Sequence, residues 1–326
     1  MIGARGRGRV GWLCGLLLGA AVGLGGCVVN PATGERALNL ISEEREIAIG
    51  AEAEPQFLAE NGGPVPSARL TAYVDRLGRE LAAVSERPHL PWSFNVLNSS
   101  QINAFALPGG KVFISRGLLA KMTNEAQLAG VLGHEIGHVT AQHVNARMSQ
   151  ALIIQGIAVG ASVAGEVADD DTLRVLGAGT AIGGGVYLLK FSRDQESQSD
   201  ELGVRYMTRL GYNPWGQVQV MQILDEAQGG GAGPEFFATH PLPKTRIARL
   251  EKHIAENFPQ AGLPDGDQDS YGVSDRFKFA AASFEDNVLD ELAKLPAPTA
   301  GRAGPRLRAY LAEVGACSAC GADHLH

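Results

Sequence analysis

Polar and apolar positions alternate along this chain in two different periods. In "PSARLTAYVDRLGRELAAV", Leu70, Tyr73, Val74, Leu77, Leu81 and Val84 recur at helical spacing, and Pro88 and Pro91 close the run. Upstream, "VNPATGERALNLISEEREIAIG" begins extended and turns helical near Ser42, a good cap with Glu44 and Glu46 in the first turn. "WSFNVLN" reads as a strand, and "NAFALPGGKVFISRGLL" as strand, Pro-Gly-Gly turn and strand, so a small antiparallel sheet is expected. From Thr123, a fair cap, to about Gln150 the pattern is helical again, with Leu128, Val131, Leu132 and Ile136 on an apolar face.

Two apolar, glycine-rich stretches follow, Ala151–Gly165 and Leu173–Leu189, each shorter than a membrane span. They suit elements packed beside the preceding helix; a mobile or membrane-touching element over a cleft is the alternative. "SRDQESQSDELGVRYMTRLGY" is a helix ended by Gly211, with Pro214 beyond it. Helices are also expected at Trp215–Ala227, through "THPLPKTRIARLEKHIAENF" to Phe258, and near Phe284–Leu295. The fold class is therefore α+β and mainly helical, with the small sheet beside the Thr123 helix.

Composition narrows the choices. The 326 residues carry a net charge of −7, which gives no electrostatic support for nucleic-acid binding. Glycine is abundant, at 42 residues, which implies close helix contacts and many turns. Arg5, Arg7 and Arg9 precede an apolar run that ends in "LGGC", the form of a lipoprotein signal (residues 1–26) with Cys27 as the acylated residue. An ordinary signal peptide or an N-terminal membrane anchor is the plainer alternative. Cleavage before Cys27 takes the net charge to −10, and Val28 after the cysteine suits the outer membrane. Residues 27–45 then read as a lipidated tether. The tail "CSACGADHLH" holds Cys317, Cys320, His324 and His326, which suit either a disulfide between the cysteines or a four-ligand metal set.

The chemistry concentrates in "GVLGHEIGHVTAQH". His134 and His138 are four apart, so both rings leave one helix face and can bind one metal ion. Glu135 sits beside the first and can act as general base toward a water on that ion. Such a motif arises by chance in about one chain in a hundred of this length, so context decides. His143, five residues after His138, falls about 140° around a continuous helix and points away from the pair. A packing role, or one behind the ligands, suits it better than ligation. Gluzincin-type zinc peptidases take their third ligand from a glutamate on a later helix, with an aspartate four residues on. Glu196 and Asp200 in "SRDQESQSDELG" fit that pattern, with Asp200 placed to accept the spare N–H of a ligand imidazole.

These segments, together with "THPLPKTR", resemble metallopeptidase family forty-eight in order and spacing, from about Asn30 to Phe258. That family includes the prenyl-protein (CAAX) proteases, the HtpX heat-shock protease and lipid-anchored bacterial envelope peptidases. "CVVNPATGERALNLISEE" resembles the lipoprotein branch. The resemblance implies a gluzincin domain over residues 46–258, with residues 259–326 as an extension of unknown role. It implies one Zn2+ held by His134, His138 and Glu196, Glu135 as base and acid, and Asp200 behind a ligand. Ser197 and Ser199 depart from the Arg and Ala common among relatives. His240 is placed to donate to the oxyanion or to cap the metal, and Arg246 to orient its segment or polarise the substrate carbonyl. "GKVFIS" resembles the edge strand to which substrate peptides add. The implied function is a zinc endopeptidase, lipid-anchored and facing the periplasm, that cuts misfolded or misassembled envelope proteins. A chaperone-like lipoprotein that binds such clients with little turnover is the rival.

Overall fold

The fold is a computed structural model that describes residues 27–164, 191–228, 236, 240, 244–262 and 277–298. Strands β1 (Cys27–Val29) and β2 (Arg36–Leu38) form an antiparallel hairpin in which Cys27 pairs with Leu38. Helix α1 (Glu43–Glu60) starts where Ser42 accepts a hydrogen bond from the Arg45 N–H, with Glu43, Glu44 and Glu46 against the positive end of the helix dipole. Helix α2 (Ala68–Ala83) buries Leu70, Tyr73, Val74, Leu77 and Leu81, the face read from their spacing. Strands β3 (Ser93–Leu97), β4 (Ala104–Leu107) and β5 (Lys111–Ser115) form the main sheet, and a single turn, α3 (Arg116–Leu119), follows.

The sheet differs from the expected antiparallel one. Its order is β3-β5-β4, with β3 parallel and β4 antiparallel to β5. The β4–β5 hairpin turns through Gly109 and Gly110, both at positive φ, and a Cβ on Gly109 would meet the α1 backbone at Ile47. "GKVFIS" is therefore the central strand, buried at every position, and not an edge. Val112 and Ile114 face the main core, while Phe113 packs with Phe57 and Phe105 against α1. The outer edge of β3 is partly covered, because Val65 N–H donates to Val96 O and Asn98 N–H to Gly63 O. β4 stands at the other edge of the sheet.

Helix α4 (Glu125–Thr140) is capped by Asn124, one residue after the expected Thr123. It ends ten residues sooner than its polarity pattern implies. Gln142 takes φ 53, and a separate helix, α5 (His143–Ala164), begins immediately after it. Helix α6 (Arg193–Arg209) opens with a capping box between Ser192 and Gln195 and stops before Gly211. Helices α7 (Trp215–Gln228) and α8 (Lys244–Asn257) pack against it through Val204, Val218, Met221, Leu250 and Ile254. The last helix, α9, runs from Ala281–Phe284 through a π-helical turn, Glu285–Leu289, to Asp290–Ala293.

The packed core continues beyond Phe258. Phe279, Phe284 and Val288 are buried in the main cluster beside Tyr73 and Leu77 of α2. The Ala126 N–H at the start of α4 donates to Phe279 O, so this segment helps satisfy the first turn of that helix. The amino end is also folded, where a tether was expected. Asn30 is buried and its side-chain amide donates to Ala141 O at 2.5 Å, and Leu40 N–H donates to Ser149 Oγ at 2.9 Å. Among the described residues no helix is long and apolar enough to cross a membrane. The Leu173–Leu189 stretch and the "CSACGADHLH" tail lie outside the described residues.

Candidate metal centre

Every residue of α4 is buried, which is unusual for a helix carrying two histidines and two glutamates. The close approach of α6 explains how. Gly133 faces Gly203, and Gly137 faces Ser199, so closely that an added Cβ at either would stand 3.1 Å from the facing backbone. That crossing brings His134, Glu135 and His138 of α4 opposite Glu196 and Asp200 of α6. His240, whose N–H donates to Phe236 O at 2.9 Å, closes the group between α7 and α8.

Four ring or carboxylate atoms converge. His134 Nε2 lies 3.1 Å from His138 Nε2, and His138 Nε2 lies 3.4 Å from Glu196 Oε1. His240 Nδ1 lies 2.9 Å from Glu196 Oε1 and 3.4 Å from His134 Nε2. A tetrahedral zinc site, with bonds of about 2.0–2.2 Å, places neighbouring ligand atoms about 3.3 Å apart. The donor set and its spacing fit one such ion. Glu135 supplies a second sign of fit: both its carboxylate oxygens are buried without a hydrogen-bond partner. Its Oε1 is 3.8 Å from His240 Nε2, so it flanks the group without belonging to it.

Behind the donors the charges are arranged in layers. Asp200 Oδ1 lies 2.9 Å from His134 Nδ1, the ring nitrogen turned away from the cluster. Arg246, buried in the first turn of α8, donates from Nε and Nη2 to the two Asp200 oxygens at 2.9 and 2.7 Å. Its Nη1 is 2.6 Å from Glu196 Oε2. Arg246 thus contacts both acids, Glu196 and Asp200. Gln217 of α7 adds a hydrogen bond from its amide to Asp200 O at 3.2 Å.

His143 is not carried round a continuous helix. The break at Gln142 turns it back, so that its Nδ1 sits 3.0 Å from His138 Nδ1 and its Nε2 sits 3.0 Å from Gln198 Oε1. His143 thus lies against His138, where a continuous helix would have pointed it away from the pair. Phe191 stacks on His138 at 3.9 Å between ring centres and Phe236 on His240 at 4.5 Å. Gln198, Gln217, Phe191 and Phe236 have no spacing signal that marks them in the sequence.

The electrostatics divide the two carboxylates that meet the cluster. Burial raises the Glu135 carboxyl above the usual range, only partly countered by His240 and His134. Burial also acts to raise Glu196, but His240, Arg246 and hydrogen bonds from His138 and His240 outweigh it and hold that carboxyl well below the usual range. Asp200 follows the same balance: burial opposes ionisation, and Arg246 with His134 overcomes it. Burial drives His138 well below the ordinary imidazole value, which suits a neutral lone-pair donor. One environment keeps an anion as a donor, and the other leaves a carboxyl ready to exchange a proton.

The model of peptidase family M48 matches residues 68–254. The chain is 30% identical over 241 residues to a beta-barrel assembly-enhancing protease of Yersinia pestis, covering 72% of this chain and 49% of that protein. It is 28% identical over 233 residues to the Escherichia coli K12 protein of that name, covering 69% of this chain and 47% of that one. It therefore spans about half the length of those two relatives. The Schizosaccharomyces pombe mitochondrial metalloendopeptidase OMA1 is 29% identical over 251 residues, covering 76% of this chain and 72% of that protein.

Proposed function

The chain belongs to peptidase family M48, and we propose that it is a zinc endopeptidase, lipid-anchored at Cys27, that cuts unfolded or misassembled proteins of the bacterial envelope. The observation that carries the reading is the convergence of His134, His138, Glu196 and His240, whose ligand atoms all lie within 4.8 Å of one another, beside a buried Glu135 whose oxygens accept no hydrogen bond. His134, His138 and Glu196 are the zinc ligands in this reading. When bound, zinc supplies the acidity that lets a water attack at neutral pH and polarises the scissile carbonyl.

The chain's own residues do the rest. Glu135 takes a proton from the attacking water and returns it to the departing amine, a task matched to a carboxyl raised by burial. Asp200 and Arg246 hold His134 and Glu196 in place from behind. His240 shares the donor cluster in this conformation, so it caps the site and must draw back for a substrate carbonyl to enter. The substrate backbone adds to β4, the sheet edge beside α4, where β5 was expected to serve. Main-chain pairing demands little of substrate side chains, which suits extended, unfolded segments.

The envelope role draws on the "LGGC" signal and on relatives named for beta-barrel assembly. The test is digestion of unfolded casein by the purified protein, before and after chelation and after zinc is returned. Cleavage lost with the chelator and restored by zinc is expected. No cleavage at any zinc concentration overturns the reading.

A further inference from the structure

The chain from the cluster does not stop at His143. Gln198 Oε1 meets His143 Nε2 at 3.0 Å, and the other end of the same amide, Nε2, donates to Glu35 Oε2 at 2.8 Å. Glu35 belongs to the loop between β1 and β2, just after Cys27. That loop is fixed on the body by Asn30, whose side-chain amide donates to Ala141 O, the carbonyl at the break between α4 and α5. Asn30 Oδ1 accepts from Ala32 N and Thr33 N, and Asn30 N–H donates to Glu35 O, so the loop is closed on itself.

Proton directions along this path follow from the groups present. An ionised carboxylate only accepts, so Glu35 fixes the Gln198 amide with nitrogen outward and oxygen inward. The inward oxygen only accepts, so His143 carries its proton on Nε2 and has a lone pair on Nδ1. That lone pair can meet His138 Nδ1 only if His138 carries its proton there. His138 Nε2 is then left with a lone pair, aimed at the point where His134 Nε2 and Glu196 Oε1 gather.

We infer that the amino-terminal hairpin is a working part of the metal centre: Glu35, through Gln198 and His143, sets the tautomer and ring orientation of His138. Glu35, Gln198 and His143 are positioning residues, and none touches substrate. This rests on His138 being a metal ligand. It gives the segment after Cys27 a task other than tethering.

The test is zinc affinity of the purified full-length protein, measured by competition with a chromophoric chelator and independent of turnover. Gln198→Leu removes the inward acceptor and is expected to weaken zinc binding about 10- to 100-fold. Gln198→Glu keeps an acceptor toward His143 and is expected to restore affinity to within about threefold of the parent. At the exposed end, Glu35→Lys replaces an acceptor by a donor and favours the flipped amide, so it is expected to weaken zinc binding more than Glu35→Ala does. The melting temperature of the zinc-free Glu35 variants is expected to match the parent. Equal zinc affinity for the parent, Gln198→Leu and Glu35→Lys overturns the inference. Full zinc affinity in His138→Ala would instead overturn the underlying ligand assignment, and the two failures are told apart by that arm.

Discussion

Gly203 of α6 lies so close to α4 that a Cβ built on it would stand 3.0 Å from the His134 backbone nitrogen. Where the helices carrying the donor atoms cross, backbone therefore meets backbone. Gly203→Ala is expected to destabilise the protein by about 1–3 kcal/mol through overpacking. Zinc affinity should fall with it, because Glu196 moves away from His134 and His138. Urea unfolding and chelator competition check both effects; an unchanged zinc affinity would show that the crossing does not set the ligand spacing.

Glu135→Gln keeps the size of the side chain and removes its basicity. Cleavage of casein is expected to fall by about 10²- to 10⁴-fold, with zinc content unchanged. Metal analysis beside the activity assay separates a lost base from a lost metal. Turnover equal to the parent would exclude Glu135 from proton transfer.

Glu196→Gln removes the anion that both Arg246 and the donor cluster contact. The purified protein is expected to hold less than one zinc per chain. Stability should drop by about 1–3 kcal/mol, since Arg246 keeps its pair with Asp200 but loses the charged partner at Glu196. Full zinc occupancy would reject Glu196 as a ligand.

Burial pushes the His143 imidazole down to about 4 in the metal-free chain. The unfolded imidazole titrates near 6.5. Between those values the unfolded state binds a proton that the folded state refuses, so stability falls as pH falls. The full effect is on the order of 3 kcal/mol, complete below pH 4. His138 is displaced in the same direction and steepens the same slope. His143→Gln is expected to flatten, without abolishing, the loss of stability between pH 7 and pH 5 in urea titrations of the metal-free protein.

Cys27→Ser is expected to abolish palmitate incorporation and to release the protein from membranes. Labelling that persists would place the acyl group elsewhere.

Much of this architecture is legible in one sequence because its signals are local. The face of α2, the cap at Ser42, the four-residue spacing of His134 and His138, and the same spacing of Glu196 and Asp200 all follow from helical geometry. The strand order was not legible, because the parallel pairing of β3 with β5 joins segments whose alternation is equally good for either neighbour. The break between α4 and α5 carries no glycine or proline; Gln142 takes its positive φ under tertiary restraint. Gln198 and Glu35 are 163 residues apart, and nothing in their surroundings marks them as partners. The helix near Phe284 was legible from its own residues, but that Phe279 and Phe284 join the main core beside α2 depends on contacts far along the chain.

With Cys27 acylated as proposed, the hairpin that begins there would also fix a height. With acyl chains on that residue, only Val28 and Val29 lie between the bilayer and Asn30, which is held against the body. At about 3.3–3.6 Å per extended residue, that paired strand is about 10 Å long. An enzyme so mounted would work at a nearly constant distance from the membrane surface. Which bonds it reaches would depend on how far a stalled substrate projects from the membrane as well as on the residues around the bond.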